Sequence, residues 1–382
     1  MRMRCEEKVW TPATGWRGGE PIGPAAGLVL YFGARDALAD GARHRELRAA
    51  YPGALVLGCS TGGQIRGEEV EDDGVAALAM AFRATGLRLA VEPGCVPAQS
   101  RRCGASLGRA LAAPDLAGVF VLADGLRVNG SALVEGLVAA LGPQVPVTGG
   151  LAGDGPHFRA TLVGAGDHPP QEGLVATIGL YGDALRLAHG SAGGWEAFGP
   201  VRRVTRSAGN ILRELDGAPA LDLYERYLGE EAAGLPGTGL FYPLRVWHPD
   251  QPDHDVVRTL LAIDRTARSM TFAGDVPEGW AAQLMRGGAE RLTAGAAEAA
   301  ARAAGGVRAP GDSVALLVSC IGRRLLLGQA THEEIEAVAG RLPPGVRRLG
   351  FYSYGEIAPH PASGTAELHN QTMTITLLSE TA

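Results

Sequence analysis

A strand–helix–strand pattern closed by glycine recurs along the chain, and it constrains the fold more than any other feature. Residues 28–32 form an apolar run, 42–51 carry helix formers, and 54–57 form a second apolar run. The second run ends in Gly58-Cys59-Ser60-Thr61-Gly62-Gly63-Gln64-Ile65. A strand, a helix and a strand within about 35 residues imply a right-handed parallel crossover. The same unit returns at 119–122, 131–141 and 145–150, and again at 314–318, 331–341 and 346–357. The first and third copies match at the turn, where residues 57–65 align with Leu349-Gly350-Phe351-Tyr352-Ser353-Tyr354-Gly355-Glu356-Ile357. The match predicts an α/β fold of two related halves with mixed sheets.

Between the copies, 75–82, 87–91, 161–163, 174–181 and 185–189 read as antiparallel strands. The pattern predicts helices over 208–215 and 221–228, strands at 240–247, 256–263 and 269–272, and a long alanine-rich helix over 280–304. A chain of 382 residues exceeds what one core holds, which is roughly 250 to 300 residues. The expected division is an irregular arm at 1–26, one domain at 27–217, a second at 218–375 and a tail at 376–382, with the change near Asp216-Gly217-Ala218-Pro219.

Of 35 lysines and arginines only Lys8 is a lysine, and it precedes the first apolar run. A Walker phosphate loop, a pyridoxal Schiff base and a catalytic lysine are therefore excluded from the folded body. The net charge of -6 gives no general attraction to nucleic acid or anionic membrane. Five cysteines without a C-x-x-C pair read as reduced thiols, and the N-terminus has no apolar leader. The expectation is a soluble, cytoplasmic protein without nucleic-acid or membrane partners.

The densest polar and aromatic cluster lies at 350–359 and 367–377, between two apolar runs, and predicts the wall of a pocket. Tyr354, Gly355, Glu356, His369 and Asn370 are the expected ligand-facing residues, joined by Ser60 and Thr61 from the matching turn. Glu356 and the Asn370 amide together would hold an amine and a carboxyl group. The competing reading is a hairpin end whose polar groups cap backbone.

Three stretches carry a family resemblance: His189-Gly190-Ser191-Ala192-Gly193-Gly194-Trp195-Glu196-Ala197-Phe198-Gly199-Pro200, then Val204-Thr205-Arg206-Ser207-Ala208-Gly209-Asn210-Ile211-Leu212-Arg213-Glu214-Leu215-Asp216-Gly217, then Leu368-His369-Asn370-Gln371-Thr372. Over about residues 27 to 375 the chain resembles proteins built of FIST N and FIST C sensory domains. The resemblance implies a bacterial, non-enzymatic small-ligand sensor, here free-standing, that binds an amino-acid-like ligand. It also implies a partner such as a histidine kinase or a cyclic-di-GMP enzyme. Some free-standing relatives are haem-binding nitric oxide sensors. The resemblance then implies non-covalent haem b with His189 as axial ligand, Arg202, Arg203 and Arg206 toward the propionates, and Trp195 and Phe198 along the ring. A solvent-exposed turn histidine is the alternative.

Gly58-Cys59-Ser60-Thr61-Gly62 also matches the G-x-S-x-G nucleophile elbow, giving a hydrolase that uses Ser60 as a further alternative. Against it, the elbow requires a helix directly afterwards, and a polar loop follows instead. The loop His248-Pro249-Asp250-Gln251-Pro252-Asp253-His254-Asp255 collects metal-ligating types, but two prolines splay them, so a solvated loop is expected.

Overall fold

The computed structural model describes residues 3–305 and 313–381. The chain opens with a hairpin, β1 (Arg4–Thr11) and β2 (Gly15–Gly18). A first unit follows: β3 (Leu28–Gly33), α1 (Arg35–Leu38), α2 (Ala42–Ala50), β4 (Leu55–Ser60), the hairpin β5 (Gln64–Arg66) and β6 (Glu69–Glu71), and β7 (Val75–Ala81). The second contains β8 (Gly86–Glu92), α3 (Ser100–Leu111), β9 (Leu116–Ala123), α4 (Gly130–Leu141), β10 (Val147–Leu151), the hairpin β11 (Val163–Ala165) and β12 (His168–Gln171), and β13 (Val175–Tyr181). After β14 (Leu185–Ala192) comes an inserted layer: β15 (Glu196–Ala208), β16 (Ile211–Leu215), β17 (Ala218–Pro219), α5 (Ala220–Leu228), β18 (Leu244–Trp247), β19 (Asp255–Arg258), β20 (Leu260–Asp264), β21 (Ser269–Phe272) and β22 (Ala281–Arg286). The third unit is α6 (Ala289–Gly305), β23 (Val314–Cys320), α7 (Ile321–Leu327), α8 (Thr331–Ala339), β24 (Arg347–Ser353), the hairpin β25 (Gly355–Pro359) and β26 (Ala366–His369), and β27 (Met373–Glu380).

Three mixed sheets share one strand order: β12-β11-β4-β3-β7-β1, β26-β25-β10-β9-β13-β8 and β6-β5-β24-β23-β27-β14, with β2 added beyond β1. Their central pairs β3/β4, β9/β10 and β23/β24 are parallel. Each unit passes its hairpin to a neighbour: β5 joins β24, β25 joins β10, and β11 joins β4. This exchange is cyclic, so the expected mixed α/β architecture is present and its repeat relates three units around a pseudo-threefold. Their inner faces share one apolar core, with contributions such as Phe32, Leu122 and Phe351. The outer faces of the second and third sheets bury against α3 and α4 and against α6 and α8. The inserted layer is antiparallel and has its own core of Val204, Leu212, Tyr224, Val246 and Phe272.

Several expectations change. Residues 1–26 are not irregular: β1 pairs with β7 as β8 pairs with β13 and β14 with β27. The arm therefore supplies the edge strand the cycle needs, while Trp16 of β2 bonds Glu46 on α2 at 2.7 Å. Its charges concealed the strand, because Glu6 is buried yet accepts from Ile22 N–H and pairs with Lys8. Residues 376–382 are no tail, since most belong to β27 at the middle of a sheet. Residues 211–215 are helix formers held as β16 by pairing to β15 and β21, a tertiary override of propensity. The helix expected from 280 starts only at Ala289, because 281–286 pair with β15 and β18 as β22. Among the described residues no helix is long and apolar enough to cross a membrane.

Gly58, Gly149 and Gly350 occupy equivalent positions opposite Tyr31, Val121 and Leu317. A Cβ there would lie 2.2, 1.9 and 2.1 Å from the facing carbonyl oxygen. Each Gly→Ala change at these sites should lower unfolding free energy by about 2 kcal/mol or more. Gly53→Ala, where nothing lies within 4 Å, should stay within about 0.5 kcal/mol. Urea unfolding of the four variants checks this.

Candidate functional site

The carboxyl ends of the parallel strands meet at the pseudo-threefold, the position where open α/β sheets commonly bind ligands. Three backbone hydrogen bonds close a ring there: Gly62 N–H to Tyr352 O at 2.8 Å, Tyr354 N–H to Leu151 O at 3.1 Å, and Gly153 N–H to Ser60 O at 2.9 Å. In each segment one residue accepts and the second residue after it donates. The two turns matched in the sequence are thus in direct contact.

Beside the ring lies a cleft of about 170 Å³ between the second unit and the inserted layer. Gly125, Leu126, Val128–Gly130, Leu151 and Phe158 line one side, and Asn210, Leu261 and Phe272–Gly274 the other, with Tyr354 beneath. Phe158 stacks on Tyr354, ring centroids 4.4 Å apart and 12° from parallel. Phe158 holds φ at 50°, a left-handed backbone that a bulky side chain rarely adopts. The Tyr354 hydroxyl donates to Asp154 and accepts from Phe158 N–H at 3.3 Å. Burial would raise the Asp154 pKa, but the bonds from Tyr354 and from the N–H groups of Ala160, Arg159 and Phe158 outweigh it and hold the carboxylate below its usual range. Burial, reinforced by Asp154, pushes the Tyr354 phenol well up. Tyr354 therefore stays a neutral donor anchored to a fixed anion. Among the described residues, four of the five exposed large apolar side chains, Val96, Leu126, Phe158 and Leu261, belong to this cleft or, for Val96, adjoin Pro97 in its wall.

The other expected ligand residues divide among different surroundings. Glu356 is wholly buried and accepts from Ser353 Oγ at 2.6 Å, Thr372 Oγ1 at 2.9 Å and Thr372 N–H at 3.1 Å. Burial drives its pKa up to about 8 despite the downward pull of those bonds and of Arg323. Its equivalent in the first unit is Gln64, which Thr61 meets at 3.5 Å. Asn370 is also wholly buried, and neither its Oδ1 nor its Nδ2 finds a partner among the described residues. The Glu356 oxygens are thus already engaged, whereas Asn370, like the Oε1 of the adjacent Gln371, offers unpaired groups among the described residues. Gly355 pairs with Leu151 in β10. His369 faces the inserted layer instead, donating to Ala358 O at 3.0 Å with its ring stacked on His360. Burial and then the charge of His360 press its pKa down to about 3.

Thr61 borders a second opening of about 370 Å³, whose wall carries Asp36, Asp72, Asp73 and Asp154 with Arg35 and His157. At the edge of the same opening Arg324 reaches Gly62 O and binds Asp72 at 2.6 and 2.9 Å, and nearby the Gln371 side chain lies against Gly322. Ser60 is enclosed, and its Oγ accepts from Leu162 N–H at 2.8 Å. Strand β5 follows it where an elbow needs a helix.

The residues named for haem do not converge. His189 lies on the outer strand β14 with part of its ring open, against an apolar cleft of only about 20 Å³, and burial of the rest lowers its pKa. Arg202 and Arg206 belong to the inserted layer and are engaged there by Asp216 with Tyr227 and by Glu214. Trp195 Nε1 donates to Gln371 O at 2.7 Å, and Phe198 packs beside Tyr242. This arrangement does not fit a macrocycle, so no chemistry is routed through one. In the loop 248–255, His254 turns away to meet Glu367. No group of metal-ligating side chains forms among the described residues.

Asp154 and Phe158 were not apparent in the sequence. They belong to an eight-residue insertion relative to the other two turns, visible only once the three units are aligned. Arg323 and Glu334 were missed as well: both are fully buried and paired at 2.7 Å, with Tyr352 and Ser319 completing the carboxylate's bonds.

Residues 27–218 match the model of the FIST N domain, and residues 220–359 match that of the FIST C domain. No curated protein matches the sequence. Among solved structures, the chain is similar to cyanuric acid hydrolase from A. caulinodans at 10% identity and a TM-score of 0.39, with 100% of both chains covered. A likeness that distant says nothing of activity.

The buried carboxyl of Glu356 makes stability depend on pH. An ordinary glutamate titrates at 4.5 and this one at about 8 when folded, so between those values the folded protein keeps a proton that the unfolded chain has lost. Stability then falls as pH rises through that window and levels above it. Glu356→Gln, neutral like Gln64, should match wild type near pH 5 and exceed it at pH 8 by on the order of 1–3 kcal/mol. Urea unfolding at both pH values checks this, and an equal difference at the two would mean the folded carboxyl is ionised.

Proposed function

Because this chain belongs to the FIST family of sensory domains, we propose that it is a small-ligand sensor of signal transduction whose ligand occupies the cleft above Tyr354. It passes occupancy to a separate signalling protein, such as a histidine kinase or a cyclic-di-GMP enzyme. The observation that carries this reading is the origin of the walls. Gly125, Leu126, Val128–Gly130, Phe158 and Asn210 come from the FIST N region, and Leu261, Phe272–Gly274 and Tyr354 from the FIST C region. A ligand touching both regions binds one relative placement of them better than another, and that differential affinity is what a sensor converts into a signal. Cleft size and lining favour the same place, since ligand sites are concave and mostly apolar with a few polar groups.

The amino-acid-like ligand implied by the family would need charged partners. Around this cleft the polar side chains are the neutral Asn129, Asn210 and Tyr354, so a free amino acid would bring its charges without counterparts. The acidic opening at Asp36 and Asp154 is the better place for an amine.

A thermal-shift panel of amino acids, nucleobases and aromatic amides tests the assignment. At 100 times Kd a ligand adds about 2.7 kcal/mol, a rise of several degrees in Tm. The expected result is a shift that shrinks at least tenfold in apparent affinity in Phe158→Ala, whose side chain is exposed enough to leave the fold intact. A response equal in wild type and Phe158→Ala would remove the cleft from consideration.

A further inference from the structure

Resting on the cleft as the ligand site, we infer that its ligand is a neutral flat ring carrying a carboxamide-like edge that pairs with the buried amide of Asn370. Three independent features lead there. The stacked Phe158 and Tyr354 rings offer a planar floor, and Leu126, Leu261 and Phe272 enclose it with apolar surface. Aromatic faces bind other flat rings by offset stacking. Second, about 170 Å³ suits a single ring, since an apolar cavity of about 150 Å³ takes up benzene.

The third feature is Asn370. A buried polar group without a partner is costly, and native proteins leave few of them. Asn370 has two such atoms on one side chain, a donor next to an acceptor. Their complement is an acceptor next to a donor, the edge of a carboxamide. The amide lies one layer below the cleft. Its Nδ2 and the Cδ1 of Leu151, a cleft residue, both lie within 3.4 Å of where a Gly355 Cβ would sit. Gly130 and Gly355 have no side chains there, and the atoms nearest to where a Cβ would sit include the methyl ends of Leu151 and Leu368. Asn370 itself does not line the cleft, so the inference includes a rotamer change of those two leucines that would open the way from the aromatic floor to the amide. Charged edges are disfavoured, because no ionised side chain lines the cleft to meet them.

The test uses the full chain and four probes with one ring each: benzamide, acetophenone, benzoate and benzylamine. Benzamide should bind about tenfold or more tightly than the other three by titration calorimetry, as expected for one well-made donor–acceptor pair. Asn370→Leu, which fills the space without polar atoms, should fold and bring benzamide down to the level of acetophenone. Asn370→Ala, which removes both polar atoms without adding bulk, should do the same and serves where the leucine variant misfolds. Phe158→Ala should weaken benzamide and acetophenone together. Equal binding of benzamide and acetophenone by wild type, or a benzamide preference surviving in both Asn370 variants, would mean that Asn370 meets only internal water and would overturn the inference. Tighter binding of benzoate or benzylamine would overturn it in favour of a charged ligand. If none of the four binds while another compound shifts wild type and not Phe158→Ala, the ligand class falls and the cleft stands. If benzamide binding survives Phe158→Ala unchanged, the cleft itself falls.

Discussion

The ring of strand-end hydrogen bonds between Gly62 and Tyr352, Tyr354 and Leu151, and Gly153 and Ser60 is the contact on which the remaining architecture depends. These bonds form where three parallel pairs end together, and within each pair Gly58, Gly149 and Gly350 leave room for the facing carbonyl of the neighbouring strand. Past the ring each chain must leave its own sheet, since its neighbour's strand end blocks the way. Each does so by giving a hairpin to the next sheet. The interlocked hairpins make every sheet incomplete without one of its neighbours, and the N-terminal strand β1 closes the set.

The surroundings of the ring differ chemically. On one side Arg324 binds Asp72 at the edge of an opening whose other aspartates line open space. On the other an inserted loop places Asp154 and Phe158 on Tyr354, and the inserted layer then roofs the cleft. An ionised Asp154 with several donors is a rigid anchor, so the Tyr354 ring is held as a fixed platform instead of rotating with its neighbours.

The inserted layer is joined to the body through polar contacts. Arg258, fully enclosed, bonds Leu368 O at 3.0 Å and Asp275 O at 2.9 Å, and burial lowers its pKa to about 10. Asn129 reaches Asp275 at 3.3 Å, and His254, His360 and His369 line up across the same seam. A seam held by directional bonds has few alternative registers, whereas one held by apolar area alone can slide. The buried Arg323–Glu334 pair plays a comparable part within the third unit. Its satisfied geometry favours specificity of packing more than net stability.

The sequence by itself determined the local units and some of their contents. Apolar runs around a helix, ended by glycine, marked all three crossovers, because burial on both faces leaves continuous apolar strands. The match of residues 57–65 with 349–357 located two of the three ring segments, and Tyr354 was legible as a wall residue beside it. Tertiary structure decided the rest. β1 reads as a charged arm because the strand that pairs with it, β7, lies far along the chain, and its buried Glu6 is satisfied by Lys8 and the Ile22 N–H; β16 reads as helix because pairing outweighs propensity. Glu356 and Asn370 are neighbours in pattern but differ in role, since one is satisfied by Ser353 and Thr372 and the other by nothing. Phe158 and Asp154 acquire meaning only when a loop from one unit folds over a tyrosine from another. Periodicity records which face of a segment is buried; which distant group completes a hydrogen bond or a stacked pair is fixed only when the segments meet.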